Sequence, residues 1–71
     1  LILRFLSERG LIRQIEGRAF LKIVGDGLIY DVIADEIGMS TSAVGRYYKK
    51  VMALLEREDI RQLIRAHFEG D

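Results

Sequence analysis

Residues 33–44 read Ile33-Ala34-Asp35-Glu36-Ile37-Gly38-Met39-Ser40-Thr41-Ser42-Ala43-Val44. The stretch reads as two helices joined by a tight turn. Ile33, Ile37 and Val44 are apolar, and Ala34 precedes Gly38 by four residues. At the place of Ala34, a larger side chain would hold the second helix away from the first. Gly38 stands where the chain leaves a helix in the left-handed conformation, which glycine alone adopts cheaply. Met39 plugs the gap between the helices. Ser40 is placed to cap the next helix, its hydroxyl accepting from a free backbone N–H. Val44 then returns to the shared core. The same spacing also fits an ordinary αα-corner in a small helical domain.

Outward from this turn, the period of the apolar residues is helical throughout. Residues 29–37 present Ile29, Val32, Ile33, Ala34 and Ile37 to the interior and Asp31, Asp35 and Glu36 to water. Asp35 and Glu36 are adjacent and point about 100° apart on a helix. They make a poor acid/base pair and read as a solvated face. Residues 41–57 form the second helix. With Val44 at the centre of its buried face, Tyr48, Val51 and Leu55 fall on the same side, flanked by Tyr47 and Leu54. Ser42, Arg46, Lys49, Lys50 and Ala53 then lie opposite, as a polar, basic stripe. Gly45, near the amino end, is either a poor helix residue or a point of close approach to a ligand.

Residues 11–24 are apolar at spacings of three and four. Gly17 interrupts them at a cost of about 1 kcal/mol and could mark a break. The strand-like run 20–24 is too short, and too well set in a helical period, to count as a strand. Gly25-Asp26-Gly27 reads as a turn; the Lys-Ser/Thr of a phosphate loop is missing. Residues 1–9 fit either a short helix capped by Gly10 or the end of a longer helix running to residue 24. A last helix, 59–68, puts Ile60, Leu63, Ile64, His67 and Phe68 on one face, which either closes the core or meets a second copy. The expectation is an all-α bundle of four to five helices in a single domain.

Composition bounds function. Seventy-one residues leave room for one small domain. There is no cysteine, so neither a disulfide framework nor a thiolate metal site is available. His67 has no partner at a metal-ligand spacing, so no metal and no cofactor is expected. No nucleophile stands with a base, and no enzyme is expected. No apolar run approaches the length of a membrane span, so a soluble, cytoplasmic chain is expected. The sequence begins at Leu1 without Met, which suggests a fragment. Eleven basic residues balance eleven acidic ones, but unevenly. Residues 28–40 carry only acids, whereas residues 41–57 carry Arg46, Lys49, Lys50 and Arg57 against Glu56 alone. The positive charge gathers where phosphate contact would need it.

These residues resemble the DNA-binding helix-turn-helix of the LuxR-type and sigma-factor region-four families, over roughly residues 16–68. Gly27-Leu28 and Ile33-Ala34 occupy the places of their Gly-Leu turn and Ile-Ala pair. Gly38-Met39-Ser40 is similar to their Gly-apolar-Ser turn, and Val44, Val51 and Leu55 match the buried positions of their recognition helix. Helix 59–68 is similar to the fourth LuxR-type helix, which commonly serves dimerisation. Three features depart from the family. Gln14-Ile15-Glu16-Gly17-Arg18 replaces the Thr/Ser-Pro opening, Val32 stands where Glu is frequent, and Glu56-Arg57-Glu58-Asp59 replaces a Gly-containing loop.

The resemblance implies a transcriptional regulator whose helix 41–57 enters the major groove. Ser42 and Arg46 are then the candidates for base edges, Lys49 and Lys50 for phosphates, and Thr41 and Tyr30 for further backbone contacts, with Gly45 at the close approach. So few charges imply a dimer, or a higher oligomer, on half-sites about 34 Å apart in double-stranded DNA. The competing expectation is a helix-turn-helix fold used as a protein-interaction or assembly module, for example in phage DNA packaging. Neutral charge and the apolar amino end favour it.

Overall fold

Five helices follow one another: α1 (Ile2–Glu8), α2 (Gln14–Val24), α3 (Tyr30–Ile37), α4 (Thr41–Glu56) and α5 (Glu58–Glu69). The computed structural model describes residues 1–70, and among these there is no strand. The all-α expectation holds, and the run 20–24 lies inside α2.

Three glycines with positive φ set the breaks between helices. Gly10 (φ +75°) ends α1, where the Leu11 N–H donates to the Leu6 carbonyl at 3.0 Å. The first 24 residues are therefore two helices rather than one long one. Gly27 (φ +68°) turns the chain between α2 and α3. Gly38 (φ +72°) closes α3, and the Met39 N–H reaches back to the Ala34 carbonyl at 2.9 Å. Ser40 then starts α4, its hydroxyl accepting from the Ala43 N–H at 3.1 Å. The turn thus has the construction expected from its residue types.

Gly17 does not break the second helix, which runs unbroken from Gln14. Its open side faces α1 and the chain that follows it. A Cβ there would lie 3.4 Å from Ile12 Cδ1 and 3.6 Å from Leu3 Cβ. Both are ordinary contact distances, so an alanine would fit at this position.

The molecule is elongated, 41 × 20 × 17 Å, and its interior forms two clusters. One joins Ile33 and Ala34 of α3 to Ala19 of α2 and to Ala43, Val44 and Tyr47 of α4. The other joins Phe5 and Leu6 of α1, Ile12, Phe20 of α2, Ile60 of α5, and Val51 and Leu54 of α4. Only α2 and α4 contribute to both.

The buried face of α4 is turned from the expected one. Val44, Tyr47, Val51 and Leu54 are buried, whereas Tyr48 and Leu55 are half-buried. A face centred on Val44 assumes one neighbour directly beneath the helix. Here α2 and α3 flank it, and the buried stripe rotates toward Tyr47 and Leu54. Tyr48 instead stacks on Phe20, ring centroids 5.6 Å apart. Helix α4 also stops at Glu56, because Arg57 takes an extended conformation (ψ 133°) and serves as the cap of α5 as well.

Helix α5 buries Ile60 alone, with Leu63 and Ile64 half-buried and Phe68 exposed. His67 is exposed and lies against the Phe5 ring at 4.2 Å. Its contact there is the packing of the imidazole on Phe5.

Ile33 has no exposed surface. Ile33→Ala is expected to lower the stability of the chain by about 2–5 kcal/mol. Leu1, 92% exposed, sets the contrast, and Leu1→Ala is expected to stay within about 0.5 kcal/mol. Urea denaturation of both variants checks this, and equal losses would contradict the two-cluster interior.

Candidate functional site

The outer face of α4 carries Ser42, Arg46, Lys49 and Ala53, all exposed. Neither Arg46 nor Lys49 takes part in an ion pair or side-chain hydrogen bond among the described residues. These charges are free to meet a ligand. The cause is local: all five buried residues of α4 (Ala43, Val44, Tyr47, Val51 and Leu54) fall on the opposite side or flank, so the stripe is left uncovered.

Tyr30 and Asp31, the first two residues of α3, border one edge of this face. A Cβ on Gly45 would sit 3.4 Å from Tyr30 Cε2. That is an ordinary contact distance, so Gly45 lies against the Tyr30 ring and an alanine would fit there. One residue along, the Thr41 hydroxyl donates to Asp31 Oδ1 at 3.1 Å. Thr41 and Tyr30 thus lie beside the stripe, each engaged by a neighbour, while Ser42 and Arg46 stand clear of them.

The other edge is built around Glu16, the one buried charged residue among those described (3% exposed). Glu16 sits three residues past Arg13, the N-cap of α2, and its Oε1 accepts from the Arg13 backbone N–H at 2.7 Å. This is the glutamate half of a capping box. Across the helix interface, Lys50 Nζ donates to both Glu16 carboxylate oxygens at 3.1 Å. The Arg13 guanidinium approaches the same carboxylate at 3.7 Å and lies over the Tyr47 ring, 5.5 Å from its centroid. Burial alone would push the Glu16 carboxyl up. The Arg13 N–H, the Lys50 ammonium and the Arg13 charge outweigh it and hold the carboxyl below its ordinary 4.5.

Lys50 is therefore not an unengaged member of the basic stripe. Its position at the margin of the buried face, next to Tyr47, brings it to α2. Arg57, counted in the basic charge of residues 41–57, lies beyond α4 and makes a two-pronged pair with Asp59 at 3.1 and 2.6 Å. Glu36, read as a solvated acid, pairs with Lys22 of α2 at 2.8 Å. Asp35 remains exposed.

Arg13 and Glu16 were missed in the sequence. The signal for Glu16 was its place three residues into a helix, where a carboxylate satisfies a free N–H. Its pairing with Lys50, 34 residues away, had no local signal. Among the described residues no group of His, Asp or Glu is arranged to hold a metal ion, and no helix is long and apolar enough to cross a membrane.

Because the folded-state carboxyl of Glu16 titrates below its unfolded value, the ionised group stabilises the fold above about pH 4.5, and this contribution is lost as pH falls through the lowered folded value. Glu16→Gln, which keeps an acceptor for the Arg13 N–H, is expected to cost about 1–2 kcal/mol at pH 7. Its deficit should shrink as pH is lowered below 4.5. Thermal melting from pH 7 to pH 3 measures this, and a deficit independent of pH would remove Glu16 from the acid response.

Compared with known proteins, the chain matches no family model, no curated protein and no solved structure.

Proposed function

We propose that the chain is a sequence-specific DNA-binding domain of a transcriptional regulator, acting from α4. The observation that carries this reading is the outer face of α4. Arg46 and Lys49 stand there exposed and without acidic partners, beside Ser42, on a helix anchored along its other side in two apolar clusters. The three-residue turn before it supports the reading, since Gly38, Met39 and Ser40 hold α3 against the amino half of α4. So does the resemblance of the same residues to the LuxR-type and sigma-factor region-four helix-turn-helix.

In this reading α4 lies in the major groove with its amino end toward the bases. Arg46 makes a two-pronged contact to a guanine, contributing about 1–3 kcal/mol of discrimination, and Ser42 meets a neighbouring base edge. Lys49 binds a phosphate and sets register without reading sequence. Thr41 and Tyr30 lie along the adjoining backbone. A chain of zero net charge gains little from long-range attraction, so two copies on half-sites about 34 Å apart supply the affinity. The reaction class is binding, not catalysis, and the setting is the cytoplasm.

A second reading, a protein-interaction or assembly module, is favoured by one specific observation. Leu1, Ile2, Leu21 and Phe68 are exposed and line one open apolar groove between α1, α2 and α5. Surfaces of this kind mark association sites.

Selection from a pool of random duplex DNA at two salt concentrations separates the readings. Recovery of a short site, with binding that weakens steeply as salt rises, is expected. Arg46→Ala should then relax the preference at one base position by roughly 5–150-fold, the equivalent of about 1–3 kcal/mol. Binding of no duplex at about 50 mM salt, with association that grows with protein concentration, would instead assign the chain to assembly.

A further inference from the structure

We infer that Arg13 and Lys50, held in place by the buried Glu16 carboxylate, form a phosphate clamp that grips the DNA backbone beside the groove occupied by α4. The inference rests on the DNA-binding reading and adds to it a contact from α2, outside the helix pair that the sequence singled out.

Two long cationic side chains converge on one acid. The Glu16 side chain is 4% exposed, whereas those of Lys50 and Arg13 are 48% and 66% exposed. The carboxylate is therefore closed to a ligand and the cations are open to one. With two cations against one carboxylate, one unit of positive charge is left over at the surface.

Donors are left over too. A lysine ammonium has three N–H donors, and Glu16 accepts from it at two oxygens. The five guanidinium donors of Arg13 make no hydrogen bond among the described residues: the bond from Arg13 to Glu16 is made by its backbone. The planar fork of an arginine matches two oxygens of a phosphate.

The geometry also lowers the cost of ordering. Free lysine and arginine side chains lose rotamer entropy when they are fixed on a ligand. Here Lys50 is already tied to Glu16, and the Arg13 guanidinium already lies over the Tyr47 ring at 5.5 Å. Tyr47 is adjacent in sequence to Arg46, and Lys50 follows Arg46 by one helical turn. The clamp thus borders the same stripe that presents Arg46 and Lys49, on the edge opposite Tyr30. Lys49 and the clamp would meet the duplex at separate phosphates, which fixes the angle at which α4 enters.

The salt dependence of binding tests this on the full chain. Arg13 is the residue to change, because removing Lys50 strands the Glu16 charge and disturbs the fold. With the selected duplex, Arg13→Ala is expected to lower the slope of log K against log salt by about 0.9. It should weaken the selected and a scrambled duplex by the same factor, since a phosphate contact carries no sequence information. Arg13→Lys should restore most of the slope. Arg65→Ala, at the far end of α5 where Arg65 faces Glu69, should leave it unchanged. Melting temperatures are read alongside, and Arg13→Gln replaces Arg13→Ala if the latter melts early. An unchanged slope in a folded Arg13 variant overturns the clamp and leaves the α4 reading standing. Absence of any duplex binding by the parent chain overturns the α4 reading, and the clamp with it.

Discussion

The fold depends on one helix being buried along one side by two different sets of neighbours. Helix α4 is 16 residues long, about 24 Å at 1.5 Å per residue. Its amino half packs Val44 and Tyr47 against α3 and α2, and its carboxyl half packs Val51 and Leu54 against α1, α2 and α5. A molecule 41 Å long and under 20 Å across in its thinnest direction cannot gather its apolar residues into one sphere. The long helix is what joins the two clusters into one body. Because the same side of α4 is used throughout, the other side is left open along its full length. That is why a polar stripe of Ser42, Arg46 and Lys49 is rigidly presented rather than carried on a loop.

The small residues serve this packing. Ala19, Ala34 and Ala43 let three helices meet closely in the amino-half cluster. Gly17 faces Leu3 of α1 and Ile12, and Gly45 faces the Tyr30 ring. The two glycines each cost about 1 kcal/mol in helix propensity, whereas the three alanines favour the helix while packing closely. Polar groups are handled with equal economy: no buried side-chain nitrogen or oxygen among the described residues lacks a partner. Glu16 is the demanding case, and it is satisfied by a backbone N–H from its own helix and an ammonium from another.

Electrostatically the chain is neutral, yet its charges are not interchangeable. Arg57 and Lys22 are absorbed by Asp59 and Glu36. Arg4 and Arg65 face acids one turn away on their own exposed helices, where such pairs contribute little. What remains on the face of α4 is Arg46 and Lys49, with Arg13 and Lys50 at its edge. A count of charge by segment finds the first pair. It cannot distinguish Lys50, whose ammonium is committed to another helix, from Lys49, whose ammonium is not.

The class of fold and the construction of the central turn are legible from residue order alone. The helical period, the left-handed Gly38 and the capping Ser40 are all local. They act through backbone torsions and hydrogen bonds within a few residues, so residue type and spacing suffice to read them. The exposed stripe of Ser42, Arg46 and Lys49 was legible for the same reason, since helical geometry alone puts those positions together. Tertiary structure decided the rest. The rotation of the buried face of α4 toward Tyr47 and Leu54 depends on where α2 and α3 lie, and no period within α4 encodes that. The ring that Gly45 faces belongs to Tyr30, 15 positions earlier, and the state of Lys50 depends on Glu16, 34 positions earlier. These are interactions between residues far apart in the chain, brought together only when apolar burial has placed the helices, and they exist nowhere until it has.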